Sequence, residues 1–337
     1  MTALIARRTF SVLPAWLLAN LAVAQAPPTD LVPLRVMGFD GGWNLPLWVA
    51  HRQGFFEAQG LAVQISYTPS SGQLMASMLD GDSDIALALI DNLVAYQDGQ
   101  GAAKVAADPD LFAFMGSDGG FLSVVAAPGI QGFADLRGKT LSVDAMSTGA
   151  AFVLREIMAR NGVAEADVRY VRAGGTANRY RDLLAGKHAA TLLRTPFELQ
   201  ATNQGCRLLA SAEVLGPYQG TAGMARRSWA LAHEPSLLAF IRAYRAAVAW
   251  LYVTGNREVV EALLVANSRD MTAALARQSC GLLLAGKGGI TRDLAIDMAG
   301  LRTVLELRSR YATPTRPLSN PAKYVDTSYL DKAAAAR

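Results

Sequence analysis

Residues 34–67, LRVMGFDGGWNLPLWVAHRQGFFEAQGLAVQISY, decide the fold class. The stretch reads as an apolar strand over 34–39, a polar glycine-bearing loop over 40–44, a helix over 46–58 and a second strand over 61–67. Pro46 suits the first helical turn, because its missing N–H is one of the donors left unpaired there anyway. Val49 and Phe56 can face a sheet, and Gly60 can supply the left-handed residue that ends the helix. Strand, helix and strand in this order predict an α/β fold with a parallel sheet. In such a sheet ligands sit beyond the carboxyl ends of the strands. The loop at that position carries Phe39, Asp40, Trp43 and Asn44, a set better suited to a pocket than to a turn.

The remainder of the chain bounds the function classes. With 337 residues, 51% hydrophobic and 18% charged, it can bury a large core and suggests two domains. Net charge is +4 and the basic residues stand singly, with no block interleaved with aromatics, which sets nucleic-acid binding aside. Cys206 and Cys280 form no C-x-x-C and have no nearby histidine, which excludes a cysteine-based metal site. They leave either one disulfide or two separate thiols. Arg7-Arg8, an apolar run over 12–23 and the exit Ala24-Gln25-Ala26 describe a secretory signal, too short to span a bilayer comfortably. Cleavage after Ala26, with Ala24 as the rival position, removes two arginines and no acids, so +4 becomes +2.

Further strands are expected over 84–89 and 112–116, then 122–126, 140–144, 168–171, 189–193 and 206–210, then 221–225. Helix starts fall near Ser70-Ser71-Gly72, Asp91-Asn92, Ser147-Thr148-Gly149 and Gly175-Thr176. Such starts hold free backbone N–H groups that can meet an anion or be capped. Interdomain crossings are read at 117–120, with Asp118, and at 216–220. The divided chain is therefore 1–26 signal, 31–118 with 223–337 as the first lobe, and 119–222 as the second. Residues 132–140 only superficially resemble a phosphate loop: five residues separate Gly132 from Gly138 where four are needed, and a strand follows. From Pro235 onward the pattern is helical, with Leu237, Ile241, Tyr244, Val248 and Leu251 as a core-facing stripe and further helices around Val259 to Val265, Thr272 to Leu284 and Leu294 to Arg310. The tail from Asn320 is expected to dock on the surface.

The order of motifs resembles a known family. Pro46-Leu47-Trp48-Val49-Ala50, Gly54-Phe55-Phe56 and Gly60-Leu61-Ala62-Val63 are similar to the opening of periplasmic solute-binding proteins of the aliphatic-sulfonate, nitrate-taurine and thiamine-pyrimidine-precursor type. Gly81-Asp82-Ser83-Asp84-Ile85-Ala86, residues 135–140 and a late helix with Ala243, Trp250 and Leu251 follow in the family's order. The resemblance covers residues 34–330. It implies the type II periplasmic-binding fold: two lobes, two crossover segments, C-terminal helices on the first lobe, a small-molecule ligand in the cleft and hand-over to an inner-membrane ABC permease.

Carried onto this chain, the implied cleft positions are Phe39, Asp40, Trp43, Asn44, Ser70, Ser71, Gly72, Asp91 and Asn92 on one side. Opposite lie Ser147, Thr148, Gly149, Gly175, Thr176, Arg194, Pro196 and Glu198, with Asp118 at the hinge. Thr195-Pro196-Phe197-Glu198 departs from the family's usual Trp-Asp/Glu-Pro order. Trp43 and Phe39 can stack a planar group, helix starts can bind an anion and Arg194 can clamp it, or pair with Glu198. The acids Asp40, Asp91, Asp118 and Glu198 oppose a purely anionic guest, so a planar solute with donors and acceptors fits best.

No catalytic residue, metal or cofactor is expected, and the protein is read as a monomer. A pyrimidine-synthase-like enzyme would need clustered cysteines and an active histidine. The chain has three dispersed histidines and no G-x-S-x-G. A sensor that delivers its ligand to a membrane kinase uses the same closure and stays open as an alternative. The reading demands a gap between the lobes; a gap plugged by the chain's own side chains counts against it.

Overall fold

The computed structural model describes residues 30–102 and 109–335; the expected signal sequence lies outside them. Strands β1 (Val32–Gly38), β2 (Leu61–Tyr67), β3 (Ile85–Leu89) and β4 (Leu111–Gly116) start the first sheet. The chain then crosses and lays down β5 (Leu122–Ala126), β6 (Thr140–Val143), β7 (Arg169–Arg172), β8 (Ala190–Arg194) and β9 (Arg207–Ser211), before β10 (Thr221–Arg226) returns to the first sheet. The sheet orders are β2-β1-β3-β10-β4 and β7-β6-β8-β5-β9. In each, the strand that follows a crossing takes fourth place and runs antiparallel to both neighbours, while the other pairs are parallel. The central parallel strands therefore aim their carboxyl ends from both lobes at one cleft.

Helices α1 (Leu45–Arg52), α2 (Ser71–Asp80) and α3 (Asp91–Gln97) serve the first lobe, and α4 (Gly149–Arg160), α5 (Thr176–Leu184) and α6 (Phe197–Asn203) the second. After β10 come α7 (Arg227–Ala232), α8 (Glu234–Leu251), α9 (Arg257–Asn267), α10 (Ala273–Leu283), α11 (Met298–Tyr311) and α12 (Ser328–Ala335). The whole stripe from Leu237 to Leu251 on α8 is buried, against α1 and the outer face of the first sheet. Helix α11 lies between α3 of the first lobe and α4 of the second.

Three local expectations are corrected. The first helix stops at Arg52 because Gly54, at φ +70°, turns the chain before the second left-handed glycine, Gly60, at φ +76°. Helix α11 starts at Met298, not Leu294, because Leu294 is left-handed (φ +61°) and the Asp297 side chain caps Ala299 and Gly300. The tail does not merely dock on the surface: Tyr324, Tyr329 and Leu330 are buried and Val325 bridges to Ala113 of β4. Cys206 and Cys280 are free, buried thiols in different clusters.

The two crossings touch at a point without side chains. A Cβ on Gly220 would lie 2.1 Å from the Gly120 nitrogen. Asp118 rivets the junction: its buried carboxylate accepts the N–H groups of Gly120 (2.8 Å) and Thr221 (3.0 Å) and two contacts from Arg194 Nη2 at 3.0 and 3.1 Å.

Candidate functional site

The cleft between the lobes narrows to a cavity of about 40 Å³. Of the residues read from sequence, Phe39, Trp43, Asp91 and Asn92 line it from the first lobe, and Thr148, Gly149, Gly175, Thr176 and Arg194 from the second. Leu89, Leu122, Asp144 and Arg179 complete much of the wall and were not foreseen.

Each lobe supplies its residues through the same device, a loop at a strand's carboxyl end. Beyond β1, Asn44 Nδ2 donates to the carbonyls of Phe39 (2.7 Å) and Gly41 (3.0 Å), which folds the loop that carries Trp43 back on itself. Asn44 is thus a brace for the aromatic pair and faces away from the cavity. Beyond β3, Asn92 Nδ2 returns to Leu89 O, leaving Asp91 to reach across the cleft. Its carboxylate accepts the backbone N–H of Gly149, the first residue of α4, at 2.5 Å, and is gripped by Arg308 of α11 through Nε (2.7 Å) and Nη2 (2.6 Å). Arg308 also donates to Ser147 O, so Ser147 serves the cleft by its backbone alone. The other lobe answers in kind: Asp144, after β6, accepts the Ser71 N–H at the start of α2 at 3.2 Å.

Several expectations change here. Arg194 is no free clamp and does not pair with Glu198. Nε donates to Gly120 O, Nη2 goes to Asp118 and to Thr221 Oγ1, and the guanidinium lies 4.0 Å over the Trp43 ring. The Trp43 face expected to stack a solute is therefore covered by arginine. Asp118 is a hinge rivet. Ser70 caps α2 through Gln73 N, Gly72 only faces Arg172 at 4.0 Å, and Asp40 is exposed and does not line the cavity. Pro196 packs on Gly42. Glu198 hydrogen-bonds Thr195 and faces a separate groove of about 600 Å³ beside the hinge, which Asp118 also lines. Burial pushes its carboxyl up to about 7, against the pull of the Thr195 hydroxyl.

The anticipated open gap is corrected too. Forty cubic ångströms holds about two or three waters, against the roughly 300 Å³ or more of a small-organic site. What fills it are contacts between lobes: Asp91 on Gly149, Asp144 on Ser71, the Gly175 N–H on Pro69 O at 2.8 Å, and Phe39 against Gly175. Each of them joins one lobe to the other, and a filled gap of this kind is the outcome that counts against the reading from sequence.

Two wall atoms have no hydrogen-bond partner, Asp144 Oδ1 and Arg179 Nε, both on side chains at least nine-tenths buried. The other guanidinium nitrogens of Arg179 bond Gly174 O, Thr176 Oγ1 and Leu192 O. Burial lowers Arg179 to about 10, with Asp144 opposing and Arg194 adding to the fall, so it stays charged at neutral pH. Among the described residues there is no cluster of His, Cys, Asp and Glu able to hold a metal.

Two sheet-cored lobes joined by a double crossing, with strand ends from both lining one cleft, define the two-lobed periplasmic-binding-protein fold. The chain belongs to the NMT1/THI5-like family, which matches residues 44–254. It is 27% identical to the Bacillus subtilis protein YtlA, described as a binding protein, over 65% of each chain, so the match leaves about a third of that relative uncovered. Its fold is similar to that of the periplasmic nitrate-binding protein NrtA from Synechocystis (TM-score 0.75, 15% identity, 93% of this chain and 90% of that one). It is likewise similar to the alkanesulfonate-binding protein SsuA from Xanthomonas axonopodis bound to MOPS (0.70, 17%, 89% and 99%). A third likeness is to a zinc-bound ligand-binding component of an ABC-type import system from Staphylococcus aureus (0.71, 13%, 90% and 99%).

Proposed function

We propose that this chain is the extracytoplasmic substrate-binding component of an ABC importer, exported with cleavage near Ala26, that captures a small planar organic solute between its lobes as a monomer and presents it to an inner-membrane permease. The observation that carries the reading is the pair of unpartnered atoms, Asp144 Oδ1 and Arg179 Nε, in the wall of a cleft lined from both lobes. A buried polar atom left without a partner costs about 1–3 kcal/mol, so a guest that satisfies both is rewarded on closure. Hinge motion at the double crossing gives entry. Among the described residues, no group of nucleophile, base and orienting acid lines the cleft, which favours binding over catalysis. Delivery to a membrane kinase would use the same closure, and no specific feature favours it.

The test is a thermal-shift screen of the mature protein with pyrimidines, aromatic amides and acids, sulfonates and nitrate. A ligand at 100 times its dissociation constant adds about 2.7 kcal/mol, a shift of roughly two degrees or more at this size. Asp144→Asn, which changes one of the two unpartnered wall atoms, is expected to abolish the shift. A variant that responds like the parent places the ligand elsewhere.

A further inference from the structure

On the reading that the cleft takes a solute, the geometry points to Asp91 as the residue that fixes the solute's charge: on closure its carboxylate occupies the anion position at the start of α4, so the cleft accepts an uncharged planar solute with a donor and an acceptor side by side and rejects carboxylates, sulfonates and nitrate.

The argument starts from where an anion could go. A helix N-terminus and a free guanidinium are the two features that bind small oxyanions. Of the helix starts at the cleft, those of α4 and α2 are each held by a carboxylate from the opposite lobe, Asp91 on Gly149 N and Asp144 on Ser71 N, α3 opens on Asp91 itself, and at α5 the Gly175 N–H is taken by Pro69 O. It has three arginines near it. Arg194 is committed to Asp118 and Arg308 to Asp91, and Arg179 keeps only Nε free. Three acids thus face three bases, and a guest anion would add an uncompensated charge next to Asp91 in a buried site, where like charges repel strongly.

The seat at α4 is shaped for the protein's own carboxylate. A Cβ on Gly149 would stand 2.5 Å from Asp91 Cγ and 2.9 Å from its Oδ1, so the missing side chain is what admits Asp91. Arg308 grips Asp91 from α11, which lies between the lobes, and also donates to Ser147 O, so the carboxylate is held at the α4 start from both sides. The remaining unmet wall atoms are one acceptor on Asp144 and one donor on Arg179, a match for the N–H and C=O edge of a planar amide or urea.

The experiment compares isosteres on the mature protein by calorimetry and thermal shift. Acetamide is expected to bind the parent about tenfold or more tightly than acetate, a difference of about 1.4 kcal/mol or more, and methanesulfonate and nitrate are expected to give no shift. Asp91→Ala keeps Arg308 and the Gly149 N–H but removes the resident carboxylate, so acetate should raise its melting temperature and leave the parent's unchanged. Acetate or methanesulfonate bound by the parent as tightly as acetamide, or an Asp91→Ala protein indifferent to acetate, overturns the assignment. Should that variant not fold, the acetamide and acetate pair on the parent decides alone. Acetate rescue with no panel compound bound by the parent would instead uphold Asp91 as the resident anion and count against the solute-binding reading itself.

Discussion

The lobes are two executions of one plan, and their reciprocal contacts differ in a way that separates structure from site. Each sends a carboxylate from the loop after a central parallel strand into the first turn of the other's helix, Asp91 after β3 to α4 and Asp144 after β6 to α2. Asp91 is fully answered, by one backbone N–H and two guanidinium nitrogens. Asp144 has a single N–H at 3.2 Å and one oxygen with no partner. The saturated contact is a lock. The unsaturated one has capacity left for something else.

Breaking the lock should have the largest effect. In Arg308→Met the Asp91 carboxylate stays buried with only a backbone N–H, and removing one partner of a buried ion pair costs about 3–5 kcal/mol. Adding Asp91→Asn to Arg308→Met should recover much of that loss, since the stranded charge is then gone. Denaturant midpoints of the three proteins measure both steps. A cost under about 1 kcal/mol for Arg308→Met alone would make the two contacts equivalent, and the contrast would fall.

Glu198 sharpens the contrast as a third buried carboxylate, in the second lobe, with no arginine bonded to it. Its carboxyl is raised from the usual 4.5 to about 7 by burial. An acid raised on folding lends stability that is complete below about pH 4.5 and is lost as pH climbs through about 7. Glu198→Gln should therefore match the parent near pH 5 and exceed it near pH 8 by on the order of 3 kcal/mol. Parallel stability curves for the two proteins would refute burial of this carboxyl as a source of pH dependence.

The glycines at the two helix starts carry the same asymmetry at smaller scale. Gly149→Ala would place a methyl against Asp91, and overpacking of that kind costs about 1–3 kcal/mol; small-angle scattering should show a more open particle. Gly72→Ala, in the first turn of α2, meets nothing closer than Arg172 Nη2 at 4.0 Å. It should be neutral or stabilise by about 0.4–1 kcal/mol through the unfolded chain.

Much of this architecture is legible in the residues alone. The order of apolar runs predicts both sheets and both crossings, because alternation of strand and helix is a local property. Asp91, Trp43, Gly149 and Gly175 stand at strand ends or helix starts, where the α/β rule puts ligands. The same rule applies to Asp144, one residue past β6, but the stronger helix-start signal at Ser147 masks it. Pairings are not legible. Arg194 has Glu198 four residues away, yet its partner is Asp118, 76 residues distant. Arg308 sits in the last turn of a late helix, and its partner is 217 positions earlier. A local pattern carries no signal for a contact that closure of two lobes creates. The filled cleft is equally hidden, since composition says which groups face a gap and nothing about how far apart the gap holds them.

The smallest expected change in stability is the most telling. Asp144→Asn keeps the side-chain volume and an acceptor for the Ser71 N–H but removes the charge at the start of α2, a contribution of about 0.3–1 kcal/mol. If Asp144 were a lock like Asp91, its loss would cost several times more, because a buried guanidinium would be stranded. Arg179 instead keeps its three carbonyl and hydroxyl partners, so the fold should scarcely notice. Ligand binding should notice strongly: an asparagine can turn its amide so that a donor faces the guest's N–H, and the complementary edge is lost. The expected result is a melting temperature within about one degree or two of the parent, together with loss of the ligand-induced shift. A variant that is markedly unstable, or one that binds unchanged, would show that Asp144 belongs to the same class as Asp91 after all.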